Sequence, residues 1–137
     1  MGCVNFRVIA TILLVGFYHQ TCFVESVPNT TVLITQCNNG VYANGDPFGI
    51  SVAYVVDDLE SATPFRQGYV YRNISPYPNA FAYGEANCNQ SLNGLDCGTC
   101  LGAAKKAMLS SCVSRIGARS GLVDCSMRFS VYNILNE

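Results

Sequence analysis

Apolar positions follow three patterns along the chain, and each predicts a different element. The first is a continuous run, Val8 to Tyr18, preceded by Arg7 and followed by a more polar stretch. The run is about 11 residues, and a membrane-spanning helix needs roughly 20. Val24 and Ser26 place small residues at the −3 and −1 positions of a cleavage site after Ser26. Residues 1–26 therefore read as a secretory leader and residues 27–137 as the mature domain. The second pattern is helical spacing. Phe48, Val52, Val55, Val56 and Leu59 recur with a period near 3.6, behind Asp46 as N-cap and Pro47 at the first helical position. This predicts a helix ending near Glu60. A second stripe, Cys97, Leu101, Ala104, Met108 and Cys112, predicts a helix starting at Asp96 or Cys97, with Lys105 and Lys106 off the stripe. The third pattern is alternation. From Leu122 to Tyr132, Val123, Cys125, Met127, Phe129 and Val131 alternate with Asp124, Ser126, Arg128 and Ser130, as in a strand with one buried face.

Shorter β-prone runs complete the picture. Val32 to Gln36 reads as a strand ending at Cys37, before the turn residues Asn38-Asn39-Gly40. Gly68–Ile74 and Ala80–Tyr83 read as two strands linked by Ser75–Asn79. Strands, helix, strands, helix and strand within one domain predict an α+β fold, its helices on one face of an antiparallel sheet.

The cysteines change this picture most. Cys3 and Cys22 fall in the leader, which leaves Cys37, Cys88, Cys97, Cys100, Cys112 and Cys125. An even set in a small secreted domain predicts disulfides. The stretch CNQSLNGLDCGTC, Cys88 to Cys100, ends in a CxxC that also suits a redox pair at a helix N-terminus or half a zinc site. The redox reading lacks a βαβ setting. The zinc reading lacks a second CxxC, and the one histidine, His19, is in the leader. Disulfide halves are the favoured reading, with the pairing open.

Candidate chemistry is sparse. Without histidine in the mature domain there is no Ser-His or Cys-His nucleophile pair. Asp57, Asp58 and Glu85 are carboxylates that nothing positions for glycoside hydrolysis. The domain reads as a non-enzyme with no cofactor and no metal. Charge is nearly balanced overall (net −1), yet acids gather early and bases late. Lys105, Lys106, Arg115, Arg119 and Arg128 are expected to form one positive face, too small for a nucleic-acid surface. No segment after the leader is apolar enough for a membrane anchor. Asn29, Asn73 and Asn89 open candidate N-glycosylation sequons.

Several motifs together carry a resemblance: Cys37-Asn38, Asp46-Pro47-Phe48, Ala82-Tyr83-Gly84, the Cys88/Cys97/Cys100 spacing, Cys112, Ile116-Gly117-Ala118-Arg119 and Leu122-Val123-Asp124-Cys125. In this arrangement the mature domain resembles the plant salt-stress-response/antifungal domain, in its single-domain, ginkbilobin-like lectin form. The resemblance implies two helices on a five-stranded antiparallel sheet. It implies the pairing Cys37–Cys112, Cys88–Cys97 and Cys100–Cys125. It also implies a secreted, apoplastic antifungal protein that binds mannose or mannan-type wall glycans. Mannose would be held by Asn38, by Arg119 and by a glutamate at the position that Ser130 occupies here. Serine lacks the two-oxygen anionic acceptor, so that corner of the site departs from the pattern. The alternative is a secreted interaction or signalling module that binds another extracellular protein and has no sugar site.

Overall fold

The computed structural model describes residues 27–137, and the leader expected over residues 1–26 lies outside the described residues. In chain order the elements are β1 (Val32–Cys37), α1 (Pro47–Ala62), β2 (Val70–Ile74), β3 (Tyr83–Cys88), α2 (Gly94–Ser111), β4 (Gly117–Leu122) and β5 (Cys125–Ser130). Two single 3-10 turns, Thr63–Phe65 and Gln67–Tyr69, join α1 to β2. The strands form one antiparallel sheet in the order β1-β4-β5-β3-β2. Both helices pack on the same face of it, which is the α+β architecture the resemblance implies.

The caps explain where the helices begin. The Asp46 carboxylate accepts the Phe48 N–H at 2.9 Å, and Pro47 opens α1. Phe48, Val52, Val55, Val56 and Leu59 are buried, joined by Ser51, and the helix runs two residues past the expected end. For α2 the cap is Asn93, whose side chain accepts the Asp96 N–H at 2.8 Å. The helix therefore starts at Gly94, two to three residues earlier than the apolar stripe predicts, and Asp96 becomes a buried first-turn residue.

Three expected strands are corrected. The run Ala80–Tyr83 is mostly loop: the Ala82 N–H donates to Ser75 Oγ and its carbonyl accepts the Ser75 N–H, both at 2.9 Å. The strand is Tyr83–Cys88 instead, and Gly84, an apparent breaker, lies inside it. A Cβ on Gly84 would sit 2.4 Å from Val55 Cγ1 and 2.8 Å from Leu59 Cδ1, so its bare Cα is what lets α1 approach the sheet. The strand expected from Gly68 begins at Val70, because Gly68 at φ 70° closes a 3-10 turn. The strand expected over Leu122–Tyr132 is β5, shortened to Cys125–Ser130; Leu122 is the last residue of β4, and Val123-Asp124 form the tight turn between the two. Val123 is accordingly 46% exposed, while Cys125, Met127 and Phe129 are buried.

The disulfides are Cys37–Cys112, Cys88–Cys97 and Cys100–Cys125, the pairing the resemblance implies. Each has one partner on α2 or at its C-cap. Cys97 and Cys100 are not joined to each other, so the CxxC is neither a redox pair nor a metal half-site.

Candidate functional site

The helices leave the second face of the sheet uncovered, and strand register lines up its side chains. Gln36 on β1 lies opposite Arg119 on β4, which lies opposite Arg128 on β5, then Glu85 on β3 and Arg72 on β2. The row beside it runs Gly117, Ser130, Tyr83, Ile74. Asn38, just past β1, joins the end of that second row by donating its N–H to the Gly117 carbonyl at 2.8 Å. Along β4 this face therefore reads glycine, arginine, glycine. With no side chain at Gly117 or Gly121, a groove opens on each side of Arg119. One is lined by Gln36, Asn38, Gly117, Arg119, Arg128 and Ser130. The other is lined by Ile34, Glu85, Arg119, Gly121, Ser126 and Arg128. The three side chains singled out for sugar binding, Asn38, Arg119 and Ser130, thus share the first groove although they come from three separate segments.

The arginines of the row differ in their company. Glu85 Oε2 takes Arg72 Nε at 2.8 Å and Arg128 Nη2 at 3.3 Å, and Glu137 takes Arg128 Nη2 at 3.0 Å. Burial disfavours the Arg128 charge, but the hydrogen bond to Glu137 and the field of Glu85 outweigh it, so its pKa rises. Arg72 also donates to the Leu135 carbonyl at 3.2 Å, which holds the C-terminal segment against this face; Ile134 is buried there and lines the first groove. Arg119 is exposed, and no carboxylate among the described residues pairs with it.

The other two groove residues are fixed by local turns. Asn38 Oδ1 accepts the Gly40 N–H at 2.8 Å, its carbonyl accepts Arg115 Nη1 at 3.0 Å, and neighbouring Cys37 is bridged to Cys112. Ser130 Oγ accepts the Tyr132 N–H at 3.0 Å. Asp124, expected beside Ser130 on the polar face of the last strand, is instead in the turn, where it accepts the Asn29 N–H at 2.6 Å.

The expected single basic face does not form. Lys105 lies on the helical side and is paired with Asp57 and Glu60 of α1, whereas Arg119 and Arg128 are on the open face. Of the sequon asparagines, Asn29 and Asn89 are exposed. Asn73 is buried, and its Nδ2 donates to the Val55 carbonyl at 3.0 Å and to Asp58 at 2.9 Å, a packing that leaves no room for a glycan. Among the described residues no group of three His, Cys, Asp or Glu side chains could hold a metal ion. Sequence reasoning missed Gln36, Arg72 and Glu137 and had Glu85 only as a carboxylate without a position, because their relation to Arg119 exists only through cross-strand register and the returning C-terminal segment.

Comparison with known proteins gives this groove a context. A sequence profile described as "Salt stress response/antifungal" matches residues 17–132. The chain is 34% identical over 103 residues to the antifungal protein ginkbilobin-2 of Ginkgo biloba, covering 74% of this chain and 76% of that protein. It is 33% identical over 109 residues to the antifungal protein ginkbilobin-like protein 1 of Picea sitchensis, covering 78% and 81%. Among solved structures, the tandem DUF26 ectodomain of the Arabidopsis thaliana cysteine-rich receptor-like protein PDLP5 superposes with a TM-score of 0.68 at 14% identity, which shows a shared fold. That match covers 75% of this chain, and this chain spans about half (51%) of the tandem ectodomain. Among the described residues no helix is long and apolar enough to cross a membrane.

Proposed function

The chain belongs to the salt stress response/antifungal family, and from that premise we propose that it is a secreted plant defence protein with antifungal activity that binds wall glycans, mannose-type sugars among them, in the groove of Asn38, Arg119 and Ser130. One observation carries the reading: Asn38, Arg119 and Ser130, distant in the chain, line a single groove on a rigid sheet. Sugars present vicinal hydroxyls, which are recognised by polar side chains that donate and accept at fixed spacing. Here an amide, a guanidinium and a hydroxyl stand ready. The Cys37–Cys112 bridge beside Asn38 lowers the ordering cost of binding.

The weak corner is Ser130. A hydrogen bond to a charged group contributes about 1.5–3 kcal/mol, against about 1 kcal/mol for a neutral one. Calorimetric titration of mannose into the oxidised protein tests the reading. Asn38→Ala and Arg119→Ala should abolish binding, and Ser130→Glu should strengthen it roughly tenfold. Wild-type protein that binds no sugar, together with a Ser130→Glu variant that gains none, would reject the groove as a sugar site. The interaction-module reading, with an extracellular protein as partner, would then take its place.

A further inference from the structure

Hydrogen-bond polarity in this groove is lopsided. Asn38 Oδ1 already accepts the Gly40 N–H, which leaves one lone pair on that oxygen and the two Nδ2 protons for a ligand. Ser130 Oγ accepts the Tyr132 N–H with one lone pair, which leaves its proton to donate and a single neutral lone pair to accept. Arg119 offers donors alone, and no carboxylate among the described residues neutralises it. The anionic oxygens nearby are committed elsewhere: Glu85 to Arg72 and Arg128, Glu137 to Arg128. The acceptors that remain in the groove, the second lone pairs of Asn38 Oδ1 and Ser130 Oγ and the Gln36 amide oxygen, are all neutral. A neutral sugar hydroxyl both donates and accepts, so it satisfies such a surface only in part. A carboxylate accepts only, through two oxygens, in the planar geometry a guanidinium matches. Of the three arginines in the row, Arg72 and Arg128 are paired with Glu85, and Arg128 with Glu137 as well, so Arg119 is the one without a carboxylate partner among the described residues.

We propose that the groove selects an acidic sugar: an oligosaccharide of uronic-acid units whose carboxylate docks on Arg119, with Asn38 Nδ2 and the Ser130 hydroxyl donating to the same residue. This rests on the reading of the groove as a glycan site and names the class of glycan. Serine in place of glutamate at position 130 is then a change of ligand sign: a carboxylate there would repel the ligand's own.

The test compares three probes on the oxidised protein: a short oligomer of galacturonic acid, the same oligomer with its carboxylates methyl-esterified, and mannose. The acid should bind the wild type at least roughly tenfold tighter than its ester, and added salt should weaken the acid but not mannose. Arg119→Gln should erase the preference, and Ser130→Glu should invert it toward mannose. Lys106→Gln, on the helical side, should change nothing. Equal binding of acid and ester by the wild type overturns the proposal, and needs no variant to fold. So does an Arg119→Gln protein that keeps the preference, or a Lys106→Gln protein that loses as much as Arg119→Gln, which would mark generic charge attraction. If mannose binds and the acid does not, the acidic-sugar inference falls while the glycan site stands. If no probe binds, both fall.

Discussion

The two helices lie on the same face of the same sheet, yet different physics holds them there. α2 is covalently pinned: Cys97 to the end of β3, Cys100 to the start of β5, and Cys112 at its C-cap to the end of β1. α1 has no cross-link. It is held by the burial of Phe48, Val52, Val55, Val56 and Leu59, by the close approach over Gly84, and by a polar clasp in which Asp58 accepts Tyr71 OH at 2.8 Å and Asn73 Nδ2 at 2.9 Å. The difference teaches that the disulfides are not spread to stabilise the domain evenly. They lock the sheet's order around one helix, and the second helix depends on fit.

Reduction should break the comparison outright. Each bridge stabilises by about 2–4 kcal/mol, and three together rival the roughly 5–15 kcal/mol net stability of a small domain. The reduced domain should lose its near-UV dichroism; a reduced form with unchanged spectrum and Tm would refute this. Native protein should show no reactive thiol among the described cysteines, all of which are paired. Next in size, Leu59→Ala, fully buried under α1, should lower the stability measured by urea unfolding by about 2–5 kcal/mol with all bridges intact. A smaller loss would mean that covalent pinning of α2 supports α1 as well. Gly84→Ala should cost about 1–3 kcal/mol by forcing α1 away from β3, and amide exchange should quicken in α1 while α2 stays protected.

The smallest effect concerns the link between the helices. Lys105 of α2 pairs with Glu60 and Asp57 of α1, and the hydrogen bond to Glu60, foremost, raises its pKa above 10.5. A raised folded-state pKa stabilises fully below the unfolded value and loses that contribution as pH climbs through the folded one. Tyr71 behaves alike: burial, then Asp58, lifts its pKa above 10.0. Stability should therefore sag from about pH 10 upward. Lys105→Met should flatten the sag slightly, by under about 1 kcal/mol, since the pair is partly solvent-exposed.

Much of this is legible in the sequence. Asp46-Pro47 marked the start of α1, the 3.6 period its buried face, and Cys125, Met127 and Phe129 the inner face of β5. β4 escaped, because Gly-Ala-Arg-Ser-Gly-Leu has neither β-branched residues nor a polar alternation; its strand character comes from two neighbours. β3 was misplaced because Gly84 reads as a turn until α1 is lowered onto it. The groove was half legible: Asn38, Arg119 and Ser130 came from motif resemblance. Their unequal surroundings came from register, in which a slip of one residue would send Arg119 to the opposite face. The unpaired state of Arg119 follows from where Glu85 and Glu137 spend their charge, a long-range matter.

The Cys37–Cys112 bridge has a mechanical consequence. A load applied between residues 27 and 137 travels to Cys37 and crosses to Cys112. From there it reaches Cys125 by two parallel covalent routes, the direct chain and the path back along α2 to Cys100. Either single route through that circuit is roughly a third of the described chain, so at about 3.5 Å per residue it extends to about 120–130 Å. α1, β2 and β3 hang from the circuit as a side loop. Once the strands have parted, the helix without a cross-link lies off the covalent path, and the Cys100–Cys112 stretch of α2 shares the load with the chain that follows it.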